Sequence, residues 1–123
     1  MTKILIAEDE RDIRELITFT LKFAGYEVIT ASNGEEAVQA ALVENPDLIL
    51  LDVRMPKMTG YEACRAIRSA AALAEVPVAF LSAKGQDGEI QEGLEAGAVE
   101  YILKPFAPDD LTQRVQSLLS QPN

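Results

Sequence analysis

Leu48-Ile49-Leu50-Leu51 sets four large apolar residues in a row between Pro46 and Pro56. A half-exposed strand would alternate apolar with polar side chains, so this run fits a strand buried on both faces. Asp52 ends it. A lone carboxylate at the tip of a buried strand is either a helix cap or a residue placed there for chemistry, and the strand alone does not decide between them.

Four further short apolar runs share the chain: Ile4 to Ala7, Val28 to Ala31, Val78 to Leu81 and Tyr101 to Leu103. Segments with helical periodicity separate the runs. In the first, Ile13, Leu16, Ile17 and Leu21 fall on one face, and Ala24-Gly25 supplies a stop. The second opens on a capping-box pattern, Ser32 with Glu35, carries Ala37, Val38, Ala41 and Leu42, and ends at Asn45-Pro46. Thr59 with Glu62 repeats the device for the third, which sets Cys64, Ile67 and Ala71 at helical spacing before Pro77. Cys64 reads as a small core residue. The fourth segment, about 87–96, has apolar contacts in Ile90 and Leu94 but lies among Gly85, Gly88, Gly93 and Gly97, four of the seven glycines. An interior glycine costs about 1 kcal/mol relative to alanine, which makes this the weakest helix and the candidate moving part. A last helix, Pro108 to Leu119, carries Leu111, Val115 and Leu118 on one face, with Asp109 and Asp110 near its positive end.

Alternating strands and helices imply a parallel sheet with right-handed crossovers and helices on both faces. The expected fold is therefore α/β, a three-layer, doubly wound, five-stranded parallel sheet, and the 123 residues are expected to form one domain. No apolar run approaches the ~18 residues of a membrane helix, and no secretory signal is visible, so the cytoplasm is the expected compartment. The absence of histidine and the single cysteine remove the usual zinc and general-base chemistry. Any metal must be held by oxygen. Twenty acidic against eleven basic residues give a net charge of −9, which argues against direct binding to nucleic acid.

Ligands of open α/β sheets bind beyond the carboxyl ends of the strands. Here those ends deliver Glu8 and Asp9, Asp52, Ser82, and Lys104 followed by Pro105. Carboxylates converging on one edge repel one another unless a cation joins them. With oxygen donors alone, Mg²⁺ suits the site, or Mn²⁺ in its place, and such an ion can take a phosphate oxygen as a further ligand. Lys104 offers a point charge and Ser82 a hydroxyl donor to the oxygens of a phosphoryl group. Asp52, on the central strand, is then the candidate nucleophile that becomes an aspartyl phosphate.

From Lys3 to about Leu119 the sequence resembles the receiver domains of two-component response regulators, chemotaxis receivers among them. The resemblance rests on Ile4-Leu5-Ile6-Ala7-Glu8-Asp9, Leu50-Leu51-Asp52-Val53-Arg54-Met55-Pro56, Leu81-Ser82-Ala83 and Leu103-Lys104-Pro105-Phe106. It implies strand order 2-1-3-4-5 and phosphorylation of Asp52 by a histidine kinase or phosphotransfer protein. Mg²⁺ would be held by Asp9, Asp52 and the backbone carbonyl of Arg54, with Glu8 acting through metal-bound water. It further implies that Ser82 turns towards the phosphoryl group and Tyr101 turns inward after it. Output would pass through the surface of the fourth helical segment, the fifth strand and the last helix, which is also the candidate surface for dimerisation. That output would act on a protein target or on an output domain beyond Asn123. Ala83 would leave the phosphoryl site open, and the Lys104-Pro105 bond would be cis.

Two positions depart from the commonest pattern. Glu8 stands where Asp is usual, and Arg54 should border the phosphoryl group, where with Ala83 it would tune the lifetime of the phosphoryl group. A metal-dependent phosphohydrolase of the aspartyl-phosphate type would need a second Asp at position 54. A flavin-binding module would need a phosphate-cradling loop after the first strand, where Glu8-Asp9-Glu10 would repel it. A receiver-like interaction module that takes no phosphoryl group is the remaining alternative.

Overall fold

The computed structural model describes residues 1–82, 100–103 and 106–120. In chain order the elements are β1 (Lys3–Ala7), α1 (Arg11–Phe23), β2 (Glu27–Ala31), α2 (Gly34–Glu44), β3 (Leu48–Asp52), α3 (Gly60–Arg68), a 3₁₀ turn (Ala71–Leu73), β4 (Val78–Ser82), β5 (Glu100–Leu103) and a C-terminal helix (Pro108–Ser120). The glycine-rich segment expected at 87–96, together with Ala83, Lys104 and Pro105, lies outside the described residues.

All strand pairs are parallel, in the order β2-β1-β3-β4-β5. β3 is buried along its whole length, as its unbroken apolar run requires. Successive side chains of a strand point to opposite faces, and the core divides accordingly. Leu5, Ile49, Leu51 and Phe80 face α2 and α3, together with Ala37, Ala41, Cys64 and Ile67. Ile4, Ile6, Leu48, Leu50 and Leu81 face the other way, against Ile17 and Leu21 of α1 and Leu111, Val115 and Leu118 of the C-terminal helix. The three-layer α/β sheet is thus the fold that the alternation of runs predicts. Among the described residues, no helix is long and apolar enough to cross a membrane.

Helix ends follow local chemistry. α1 stops where Gly25 takes a positive φ of 100°; the amide of Gly25 donates to Lys22 O at 3.0 Å and that of Tyr26 to Leu21 O at 3.1 Å, the paired bonds that cap a helix on a left-handed residue. For α3 the expected capping box is present, with Thr59 Oγ1 accepting from the Glu62 amide at 3.2 Å and Glu62 Oε1 from the Thr59 amide at 3.0 Å.

Three local expectations need correction. The cap of α2 is Asn33, not Ser32: Asn33 Oδ1 accepts from the Glu36 amide at 2.9 Å. The Glu36 carboxylate, rather than that of Glu35, reaches back to the Ser32 amide and hydroxyl at 3.1 and 3.0 Å. Those two bonds, with a further one from Asn33, hold the Glu36 carboxyl below its ordinary pKa. The apolar faces are also narrower than periodicity suggests. Leu16 is 45 % exposed and Leu42 50 % exposed, because the buried contacts of α1 run through Ile17 and Leu21 and those of α2 through Ala37 and Ala41. Lastly, Ala71 is exposed and belongs to the 3₁₀ turn rather than to α3. The turn forms because Arg68 Nη1 donates to the carbonyls of Leu73, Ala74 and Val76, pinning the chain as it leads into β4.

Candidate functional site

The acidic groups are brought together by sheet register. Ala7 pairs with Leu51, so Glu8 and Asp52 stand one step farther along adjacent strands. Each lies where the backbone ladder ends: the Glu8 amide donates to Ala31 O and the Val53 amide to Leu81 O, both at 3.1 Å. Glu8 is fully buried and Asp52 nearly so, while Asp9 is exposed. One carboxylate oxygen from each of Glu8, Asp9 and Asp52 lies within 4.8 Å of the others. Like charges at that spacing repel strongly where water is excluded, and a cation among them turns the repulsion into attraction. The donors are all hard oxygens and one side of the cluster is open through Asp9, which fits Mg²⁺ and its retained waters.

The turn that follows Glu8 is held by its own bonds. Glu8 Oε2 accepts from the Glu10 amide at 3.2 Å. Arg14, one turn into α1, donates Nη1 to the carbonyls of Glu8 at 2.8 Å and Asp9 at 3.4 Å. Beyond Asp52 the chain loops through Arg54, which is exposed, and through Lys57 at a positive φ of 70°. It rejoins the strand where the Gly60 amide donates to Val53 O at 3.0 Å. Gly60 is required there. A Cβ on it would stand 2.2 Å from the carbonyl oxygen of Asp52.

Ser82 ends β4 and is buried, 3 % exposed. Because Asp52 pairs with Leu81, Ser82 lies one step past the residue beside Asp52, at the same sheet edge. Tyr101 is half-buried on β5, paired with Phe80. Its ring packs on that of Phe80 at a centroid distance of 5.5 Å, and its hydroxyl lies 2.8 Å from that of Tyr61. Lys104 and Ala83, the other candidates, lie outside the described residues. Cys64 is buried as expected, and burial pushes its thiol pKa up.

Sequence reasoning did not find Arg14, Gly60 or Tyr61. Gly60 carried a usable signal, since a glycine that opens a helix directly after its cap has no need to be glycine unless something lies against it. Arg14 and Tyr61 carried none, because their partners are distant backbone and side-chain atoms.

Comparison with known proteins agrees with this geometry. Residues 4–116 match the family described as the response regulator receiver domain. The alkaline phosphatase synthesis transcriptional regulatory protein PhoP of Bacillus subtilis is 44 % identical over 117 residues, covering 95 % of this chain and 48 % of that protein. The probable transcriptional regulator ycf27 of Cyanophora paradoxa is 43 % identical, with 95 % and 48 % covered. The chain thus spans about half the length of these curated relatives. Among solved structures, Vibrio cholerae chemotaxis protein CheY4 superimposes with a TM-score of 0.93 at 37 % identity, covering 96 % of this chain and 98 % of that one. The receiver domain of sensor histidine kinase PA1611 from Pseudomonas aeruginosa, solved with a magnesium ion coordinated in its active-site cleft, gives 0.91 at 32 % identity, with 98 % of each chain covered. With its sheet order, its acidic strand ends and these likenesses in agreement, the chain belongs to the response regulator receiver domain family of two-component signalling.

Proposed function

We propose that the domain is a phosphorylation-dependent switch in which Asp52 accepts a phosphoryl group from a histidine kinase or phosphotransfer protein. One observation carries the proposal: the nearly buried Asp52 stands at the tip of the central strand with Glu8 and Asp9 oxygens within 4.8 Å. An Asp52 carboxylate oxygen forms the new bond to phosphorus as the nitrogen–phosphorus bond of the donor phosphohistidine breaks, and the released imidazole keeps the bond's electron pair and takes up a proton. Mg²⁺, or Mn²⁺ in its place, supplies charge neutralisation to that transfer when bound. Asp9, Asp52 and the Arg54 carbonyl would hold it, with Glu8 acting through a bound water. The magnesium in the PA1611 receiver supports this assignment.

The remaining roles follow from chemistry at the same edge. Ser82 donates its hydroxyl to a phosphoryl oxygen and Lys104 contributes a cation. Ala83 leaves the approach open, and Arg54 with Ala83 tunes the lifetime of the acyl phosphate. Tyr101 responds to the state of Asp52 and passes it to the surface of β5 and the C-terminal helix, through which a protein target, a second receiver or an adjoining output domain is addressed. The greater length of the relatives named as transcriptional regulators supports an adjoining domain. Arg54, where a phosphohydrolase would need an acid, argues against a turnover enzyme.

Intact mass after incubation with Mg²⁺ and acetyl phosphate tests the proposal. One added phosphoryl group is expected, not formed when EDTA is present from the start and absent from Asp52→Ala. Its persistence in Asp52→Ala would refute the assignment.

A further inference from the structure

Tyr61 links the acidic site to β5 by a route that bypasses Ser82. It is the second residue of α3 and only 6 % exposed. Its neighbour Gly60 lies directly on the Asp52 carbonyl and donates its amide to Val53 O, so the place of Tyr61 is fixed by the end of β3. Its ring meets Phe80 edge-on, centroids 4.9 Å apart and planes at 74°, while Phe80 in turn packs on Tyr101. The two phenols close the set, hydroxyl to hydroxyl at 2.8 Å. A phenol can donate one hydrogen bond and accept others. In a half-buried place, breaking the pair costs more than it would in water.

From this geometry we infer that Tyr61 is a positioning residue for Tyr101: its hydroxyl holds the Tyr101 side chain packed against Phe80 and couples that packed position to the end of the Asp52 strand. The inference rests on the reading of Tyr101 as the residue that responds to the site. It adds a second structural link, α3, to the path between Asp52 and the β5 surface. By linkage, whatever favours the packed Tyr101 also favours the phosphoryl-bound site, and the hydroxyl pair is part of what favours it.

The chain has no tryptophan and only three tyrosines, Tyr26, Tyr61 and Tyr101. Biosynthetic 3-fluorotyrosine therefore gives a short, assignable fluorine spectrum, followed by NMR as Mg²⁺ and beryllium fluoride are added as a phosphoryl mimic. In the wild type the Tyr101 resonance is expected to shift with saturation, and not in Asp52→Asn. In Tyr61→Phe, which keeps the ring and removes only the hydroxyl, the Tyr101 resonance is expected to start nearer the solvent-exposed position. Its titration midpoint should then rise severalfold, with about fivefold as the full worth of an ordinary hydrogen bond. Tyr101→Phe, read at Tyr61, removes the same bond from the other end. Its midpoint should rise by a similar factor.

An unchanged or lowered midpoint in both single variants, with a responsive wild-type Tyr101, overturns the positioning role alone. A wild-type Tyr101 that does not move at saturation overturns the responsive role of Tyr101, and the role of Tyr61 with it.

Discussion

Gly60→Ala tests how tightly the start of α3 is fitted to the acidic strand. The added Cβ would lie 2.2 Å from the Asp52 carbonyl oxygen, 3.0 Å from its carbonyl carbon and 3.1 Å from Val53 Cα. An ordinary carbon–oxygen contact is about 3.3 Å or more, so roughly 1 Å must be found. β3 cannot readily supply it, because it is paired on both sides, with β1 and with β4. The first turn of α3 must lift instead, straining or breaking the Gly60–Val53 bond and disturbing the Thr59–Glu62 box. Overpacking of this kind costs about 1–3 kcal/mol and the lost bond about 1 kcal/mol. The better helix propensity of alanine returns somewhat under 1 kcal/mol. A net loss of about 1–3 kcal/mol is expected, measured by urea unfolding as a lower midpoint at unchanged slope, together with weaker Mg²⁺ binding. Gly25→Ala is the control. Its Cβ meets nothing within 4 Å but its φ is positive, so about 1–2 kcal/mol of backbone strain is expected with Mg²⁺ affinity unchanged. A Gly60→Ala protein as stable as the wild type, with the same Mg²⁺ affinity, would refute the argument.

Mg²⁺ should raise the thermal midpoint in a concentration-dependent way, by about 2.7 kcal/mol of stability at a hundred times the dissociation constant. EDTA should reverse the gain and Asp9→Asn should largely remove it; scanning calorimetry of the two proteins decides. Thr59→Ala, which deletes half of the capping box, is expected to cost about 1 kcal/mol in urea unfolding. Burial raises the folded pKa of Cys64, so above the ordinary thiol value of about 8.5 the unfolded chain releases its proton first. The stabilising difference is complete below that value and is lost as pH rises towards the folded pKa. Urea titrations at several alkaline pH values should show a decline in stability that is steeper in the wild type than in Cys64→Ala.

The sheet could be read from the sequence because its information is local. Four apolar residues between two prolines, ending at Asp52, fit a strand covered on both sides, and the alternation of such runs with helical segments leaves few topologies. The acids of the site were legible for the same reason, since each is defined by its place at the end of a run. Legibility failed where two local solutions nearly tie or where the partner is distant. Ser32-Asn33-Gly34-Glu35-Glu36 offers two caps and two glutamates in a row, and the cap forms one residue later than expected, with Asn33 taking the Glu36 amide. Ala71 keeps helical spacing with Ile67, yet three carbonyls drawn to Arg68 bend the chain into a turn first. The closeness of Tyr61 to Tyr101 across forty residues exists only once the sheet has formed.

The loop after Asp52 is enclosed by backbone at both ends. Gly60 sits on the carbonyl of Asp52, and Gly34, the first residue of α2, sits as closely on the carbonyl of Met58. Between them the chain turns through Lys57 at a positive φ, a conformation stabilised by its surroundings rather than by its own side chain. The path of the loop is therefore written to a large extent in main-chain contacts. Contacts of that kind constrain the path whichever side chains the loop presents. Shape and side-chain chemistry are thus specified by different atoms of the same loop.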